Sequence, residues 1–514
     1  MQAIPVIEKN NGQWELLVDG KPFTMLAGEL HNSSSSDLDY MEESVWPYLR
    51  DLNLNSVLLA VTWEALEPEE GCFDFSLVDG ILQQARREGL RIGILWFGLW
   101  KNGISSYVPG WVKRDTKRFP RVQTRGGQPL DIVTPLSAEA VQADARAFVA
   151  LMQHLKEVDE EERTVILMQV ENEVGILGSD RDYSPLAQEH YGRPVPGNIA
   201  ELFGKNGTWE EAFGEDAPEY FMEYAYACAL ETIAAGGKSV YPLPMITNAW
   251  LRQFPWRPGT YPSGGPTAEF RTIWKSAAPS ITVNAPDVYV SDFHEVCRLY
   301  VGEDNPLLIP EHRRDIRNIS HLFYAIGAYV ALCFSPFGIE DFLTPSEKLK
   351  GLSSPQVMKM LNIDPAAWNC DKTGAFLRES YGLLSEAMLL LRESRRAGKV
   401  HAFLRASEHE KGTILNLAGC DLRIDYLDRG PDTPKAAGIV IETEDGTLYV
   451  MGVNFRYSLM SPKNSAAAVG IAEYSEGRFK DGRYIRGRML NGDERFSMIQ
   501  TELPAAQCLK WFRY

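Results

Sequence analysis

The chain has 514 residues, 45% of them hydrophobic and 24% charged, and a formal charge of −17 at pH 7. That balance supports a large core and excludes wholesale disorder. The excess acid repels phosphate backbones, so a neutral substrate is expected and a nucleic-acid partner is not. Length as a soft prior suggests several domains, one of which can be an α/β barrel of about 250 residues.

The seven cysteines show no CxxC pair. The chain therefore signals neither a zinc ribbon nor a redox motif, and Cys333, inside an apolar run, reads as packing. Met1–Lys9 lacks a basic region followed by an apolar run, so no signal peptide is expected. No stretch reaches the roughly 18 uninterrupted apolar residues of a membrane span. A reduced, cytoplasmic setting is the simple expectation.

In chain order, Leu16–Phe23 carries an Asp19-Gly20 turn between apolar segments, a hairpin signal. Short apolar runs then alternate with helical patterns. The runs are Met25–Glu29, Asn55–Val61, Arg91–Phe97, Thr164–Glu171, Met245–Asn248, Asp287–Val290, Pro306–Glu311 and Ala331–Gly338. Helices are expected at Met41–Leu52, Leu77–Glu88, Ala138–Val158 and Pro218–Ala235. Eight buried strands alternating with helices predict a (β/α)₈ TIM barrel. Two long insertions, Gly98–Pro135 and Gly178–Trp209, follow strands three and four, where such barrels build their active face. After residue 345 the texture changes. A long helix at Gly374–Ala397 precedes strands punctuated by Asp445-Gly446, Asp481-Gly482 and Asn491-Gly492. The expected organisation is a catalytic barrel over 1–345, a helical linker over 346–398 and an all-β, sandwich-like domain over 399–514.

The candidate chemistry sits at strand ends. Gln169-Val170-Glu171-Asn172-Glu173 closes the fourth run, and Leu308-Ile309-Pro310-Glu311 closes the seventh. Glycoside cleavage needs two carboxyls flanking one anomeric carbon, and strands four and seven face each other across a barrel mouth. The bland alternatives are a helix cap for the first cluster and an ion pair with Arg313 or Arg314 for Glu311. Aromatic residues near strand ends, among them Trp63, Trp100, Tyr107, Trp250 and Tyr289, offer faces for sugar rings, or else pack the core. Trp100 and Tyr107 sit in a polar stretch that looks less like core. Glu340 and Asp341 follow strand eight and line the rim or the surface. His residues do not cluster at metal-ligand spacing, and no GxSxG, GxxxxGK[ST] or HExxH motif occurs, so no metal and no cofactor is expected.

These motifs resemble glycoside hydrolase family 35, the β-galactosidase family of the four/seven barrel superfamily. The second-strand stretch Trp63-Glu64-Ala65-Leu66-Glu67-Pro68 with Gly71-Cys72-Phe73-Asp74-Phe75 adds to the likeness, which covers roughly residues 20–345. Leu95–Gly103 and Gly482–Glu494 are similar to a bacterial branch with an appended β-domain. The resemblance implies Glu173 as acid/base, Glu311 as nucleophile, Asn172 on the sugar 2-hydroxyl and Tyr289 as hydrogen-bond donor to the nucleophile. Better-known members carry a tyrosine where Ala60 falls and an Ala-Glu pair where this chain has Trp100-Lys101-Asn102. Trp63, Trp100, Lys101 and Asn102 are thus expected sugar contacts, with galactose specificity open. The implied activity is a retaining, exo-acting β-glycosidase, first of all a β-galactosidase. The alternatives are a β-glucosyl hydrolase, a transglycosylase or a non-catalytic carbohydrate-binding barrel. The β-domain is expected to pack on the barrel, bind glycan or build a homo-oligomer.

Overall fold

The computed structural model describes residues 3–344, 364–463, 467–497 and 503–514. Eight parallel strands form the central sheet: β1 Met25–Leu26, β2 Ser56–Thr62, β3 Arg91–Lys101, β4 Val165–Asn172, β5 Met245–Trp250, β6 Val283–Val288, β7 Ile309–His312 and β8 Cys333–Pro336. Neighbours follow chain order from β2 through β8 to β1. The seam between β1 and β2 closes through Glu29, which bridges Leu58 on one side and Phe337 on the other. Leu58 N donates to Gly28 O at 2.9 Å and Leu30 N to Leu58 O at 2.9 Å. The result is the closed TIM barrel expected from the alternation.

Inward-facing Met25, Ala27, Leu58, Leu95, Leu167 and Ile246 fill the barrel with apolar side chains. A second, larger cluster lies between the strands and the surrounding helices. Long apolar faces explain the helices Ser76–Glu88, Ala138–Asp159 and Ala217–Val240. The expected Met41–Leu52 helix is instead broken into short α, π and 3₁₀ turns around Pro47, which cannot donate an amide and crowds the preceding turn. An N-terminal sheet precedes the barrel, and its turn at Asp19 and Gly20 has positive φ at both residues (55° and 70°), as a tight primed hairpin turn requires.

Two strand boundaries differ most from expectation. β3 runs on to Lys101 instead of stopping before Gly98. β6 begins at Val283 rather than Asp287, so Tyr289 stands just past its end. Asn284 and Pro286 make that strand look unlike a strand in sequence, yet Asn305 accepts the Asn284 amide at 2.9 Å and completes the pairing.

The helix Thr373–Arg396 leads to two antiparallel sheets, one of six strands and one of three. Phe403, Val440 and Leu509 of one sheet and Leu422, Ile424 and Phe455 of the other form a single core, a sandwich. The part of the expected linker from 345 to 363 lies outside the described residues. The helix ties both parts together. Tyr381 Oη, fully buried, lies 2.7 Å from Ala27 O and 2.9 Å from Phe334 O, on the seam of β1 and β8. Arg392 donates to Pro22 O at 2.6 Å, and Arg395 to Gly327 O at 2.8 Å. Among the described residues no helix is long and apolar enough to cross a membrane.

Tyr381→Phe deletes the hydroxyl and leaves the Ala27 carbonyl short of a donor, since Phe334 O keeps the Ala27 amide. The expected loss is about 1–3 kcal/mol of stability, read as a lower urea midpoint with unchanged slope. An unchanged midpoint would show that the helix does not brace the barrel seam.

Candidate active site

The end of β4 does not continue the regular in-and-out alternation of a strand. Glu171 and Glu173 both have positive φ (60° and 45°), a conformation glutamate seldom adopts. Glu171 turns away from the barrel mouth. Its oxygens accept Leu99 N at 3.0 Å and Trp100 N at 2.7 Å, and it meets Asp144 of the helix Ala138–Asp159. Asp144 also takes Trp96 Nε1 at 2.8 Å and Leu99 N at 2.9 Å. Both acids are fully buried, and burial followed by mutual repulsion pushes Glu171 well above the usual carboxyl range, so it keeps a proton. A Cβ on Gly98 would lie 2.4 Å from an oxygen of each acid, which is why a glycine stands there. The pair draws the Leu99 and Trp100 amides out of the ladder. The β3–β4 register shifts between Trp96–Val170 and Lys101–Asn172, and Lys101 comes to lie beside Asn172.

Lys101 Nζ donates to Asn172 Oδ1 at 2.9 Å and lies 5.0 Å from the Phe97 ring centroid. Asn172 Nδ2 is buried without a hydrogen-bond partner among the described residues. Asn102 Nδ2 donates to Glu173 Oε2. The Glu173 amide donates to Asn248 Oδ1 at 2.9 Å, and Asn248 Nδ2 to Asp287 Oδ2 at 2.6 Å. Asp287 in turn hydrogen-bonds the Glu173 carboxyl. Burial first, then the nearby charge of Glu311, raises the Glu173 carboxyl to about 7, against the opposing pull of Lys101, Asp287 and Asn102. Asp287 is held well above its ordinary range by burial, then by Glu311 and Glu173.

Glu311 comes from β7. Tyr289 Oη donates to its Oε1, while Oε2 is buried with no partner among the described residues. Burial and the Glu311 charge hold the Tyr289 phenol far above its usual range, so it remains a donor. The Tyr289 ring stacks on Trp368 at 5.2 Å and 12°. Glu173, Glu311, Asn102, Asp287 and Tyr289 all line one cavity of about 670 Å³, with Trp250 and Trp368 on its walls.

Of the residues expected at the site, Glu173, Glu311, Asn102 and Tyr289 share this cavity, and Asn172 and Lys101 adjoin it through their contacts. Trp63 and Trp100 do not. Trp63 is fully buried, with Nε1 on Glu67 Oε2 at 2.7 Å and its ring against Trp111. Trp100 is 1% exposed, with Nε1 on Val133 O at 2.9 Å and its ring against Tyr226. Both are core residues, and for Trp100 the cause is the extension of β3. Glu340, a rim or surface candidate, is buried and accepts His31 N at 3.0 Å and Ser34 Oγ at 2.7 Å, while Asp341 pairs with Arg314 and His31. Asn248, Asp287, Glu29 and Trp368 were missed. The first three are polar residues at the C-terminal ends of apolar strands, the same signal that marked Glu173. Trp368 carried no signal, because it lies in the linker turn Pro365–Trp368.

Residues 40–220 match the glycoside hydrolase family 42 model, described as β-galactosidase, and residues 377–501 match a domain of unknown function, DUF5597. A β-galactosidase of Xanthomonas manihotis is 30% identical over 176 residues, 32% of this chain and 26% of that one. The chain thus spans about a quarter of the length of this curated relative. Among solved structures, a β-galactosidase from Bacillus circulans sp. alkalophilus superposes with a TM-score of 0.49 at 12% identity, over 95% of this chain and 99% of that one. The catalytic domain of β-amylase from Paenibacillus polymyxa gives 0.47 at 11% identity, over 62% and 92%. Through residues 40–220, which contain Glu173 but not Glu311, the chain is similar to β-galactosidase-type glycoside hydrolases, by a family 42 model rather than a family 35 one.

Proposed function

We propose that this chain is a retaining, exo-acting β-glycosidase, with a terminal β-galactosyl unit as its first candidate substrate. The observation that carries the proposal is the pair of carboxyls from β4 and β7 on one cavity, with Glu173 raised to about 7 beside Glu311. Double displacement needs a protonated acid beside a nucleophile, and the raised Glu173 carboxyl suits the first of these roles. The motifs that resemble family 35 assign the same roles to the same two residues. The match of residues 40–220 to the β-galactosidase model favours galactose.

In the first step Glu311 Oε2, the oxygen not engaged by Tyr289, attacks the anomeric carbon. The bond to the departing oxygen breaks, and that oxygen takes the proton of Glu173. In the second step a water gives its proton to Glu173 and attacks the same carbon, which frees Glu311. Two inversions leave the configuration unchanged. Retention calls for carboxyls about 5–5.5 Å apart. Asn172 Nδ2, unpartnered in the site, suits the sugar 2-hydroxyl, where contacts strengthen in the transition state. Lys101 and Asn102 leave the sugar identity to be tested against β-glucosides.

Glu173→Ala should slow hydrolysis of an alkyl glycoside by about 10²–10⁴-fold, and azide should restore turnover of an aryl glycoside with a β-glycosyl azide as product. Glu311→Gln should abolish turnover without azide rescue. Proton NMR of the first-formed sugar should show the β anomer. An α anomer, or near-normal rates in Glu311→Gln, would refute the mechanism.

Glu173 acts first as an acid, so its protonated form is the active one. Activity is present below its pKa and lost as pH rises through about 7. Asn102 stabilises the charged form, so Asn102→Ala should move the alkaline limb of the kcat/KM profile upward. An unmoved limb, or one moved downward, would show that Glu173 does not set it.

A further inference from the structure

The mechanism leaves one buried acid at the barrel mouth unused. Met25 and Ala27 face the barrel interior, and Glu29 is the next residue on that face, toward the C-terminal end of β1. Its backbone is held on the β8 side, accepting Ile339 N at 3.0 Å and donating to Pro336 O at 2.9 Å, while its neighbours Gly28 and Leu30 bond Leu58 of β2. The residue is 1% exposed, and its Oε1 is buried with no hydrogen-bond partner among the described residues. It pairs with Leu58, whose side chain also faces the barrel interior, and the charges of Glu311, Lys101, Glu173 and Glu340 act on it from the same mouth, although Glu29 itself does not line the cavity that holds the two carboxyls. Lys101 Nζ spends one of its three N–H groups on Asn172 Oδ1. Asn172 Nδ2 is likewise free of a partner. Leaving such groups unpaired in a folded interior costs stability, so their persistence together points to a ligand that completes them.

We infer that Glu29, with Lys101, forms the hydroxyl-binding end of the terminal-sugar subsite. The ligand class is a neutral pyranoside with free hydroxyls away from C1 and C2. Each sugar hydroxyl both donates and accepts, and so suits one carboxyl oxygen and one ammonium N–H. Glu29 forms no bond to the reacting atoms and is a specificity residue. Burial, then the charges of Glu311 and other carboxyls, hold its carboxyl well above the usual range. A neutral acid there donates as well as accepts, and avoids another negative charge next to Glu311.

The inference rests on the glycosidase reading, and its test separates the two. The panel is an aryl β-glycoside of the preferred sugar and its 3-, 4- and 6-deoxy analogues, with kcat/KM measured for wild type, Glu29→Met and Glu29→Gln. Glu29→Met should lower kcat/KM on the parent roughly 10- to 100-fold, but less than about threefold on the analogue that lacks the bound hydroxyl. Glu29→Gln keeps a neutral donor and acceptor and should recover most of the loss. If Glu29→Met does not fold, Glu29→Ala on the same panel must show the same loss, sparing only the analogue that lacks the bound hydroxyl. An equal loss on all four substrates, or none on any, overturns the assignment while the glycosidase reading stands. A wild-type protein inert to every glycoside overturns both.

Discussion

The buried meeting of Glu171 with Asp144 is the constraint on which the site depends. Two ionised carboxyls in that fully buried position would repel each other with no water to screen them, so one stays neutral and hydrogen-bonds the other. The pair can then accept the Trp96 indole and the Leu99 and Trp100 amides. Those contacts interrupt the β3 ladder and swing Lys101 and Asn102 toward the end of β4. The first glutamate of the Glu-Asn-Glu triplet is thus an anchor, and the second lines the cavity. A single residue, Asn172, separates them, and positive φ on both glutamates sends their side chains to opposite sides of the strand.

The barrel mouth that results is crowded with acid. Glu29, Glu173, Asp287 and Glu311 act on one another, and Lys101 is the cation that opposes them at Glu29 and Glu173. In such a place, raising a carboxyl needs no dedicated device, since the one charge of Glu311 raises Glu29, Glu173 and Asp287 alike. Selective hydrogen bonds then sort the roles. Asn102 and Asp287 moderate Glu173, while Tyr289 marks one oxygen of Glu311 and leaves the other open.

Much of this was legible in sequence, for a plain reason. A barrel strand is apolar on both faces, so polar residues at its C-terminal end stand out, and Glu173 and Glu311 did. The same logic extends to Glu29, Asn248 and Asp287, but there the strand limits blurred it. Asn284 and Pro286 hid the start of β6, and Gly98 hid the continuation of β3. That second error turned Trp100, a core residue, into a candidate sugar platform, because exposure of an aromatic depends on where its strand ends. In the sandwich domain, Asp421–Tyr426 shows the alternation of a half-solvated strand, whereas Phe455–Met460 loses it toward its exposed end. Trp368 was beyond reach altogether, as its position depends on tertiary contact and not on local pattern.

The stacking of Trp368 on Tyr289 has a consequence for how this protein divides. The phenol that hydrogen-bonds Glu311 stacks on a side chain encoded after the barrel has closed. An excised barrel ending near residue 344 would retain both glutamates yet lack one wall of its own reaction chamber. Evolutionary shuffling of the β-sandwich as a detachable accessory would therefore have to carry the turn before it, so the functional unit of inheritance extends past the structural boundary of the barrel.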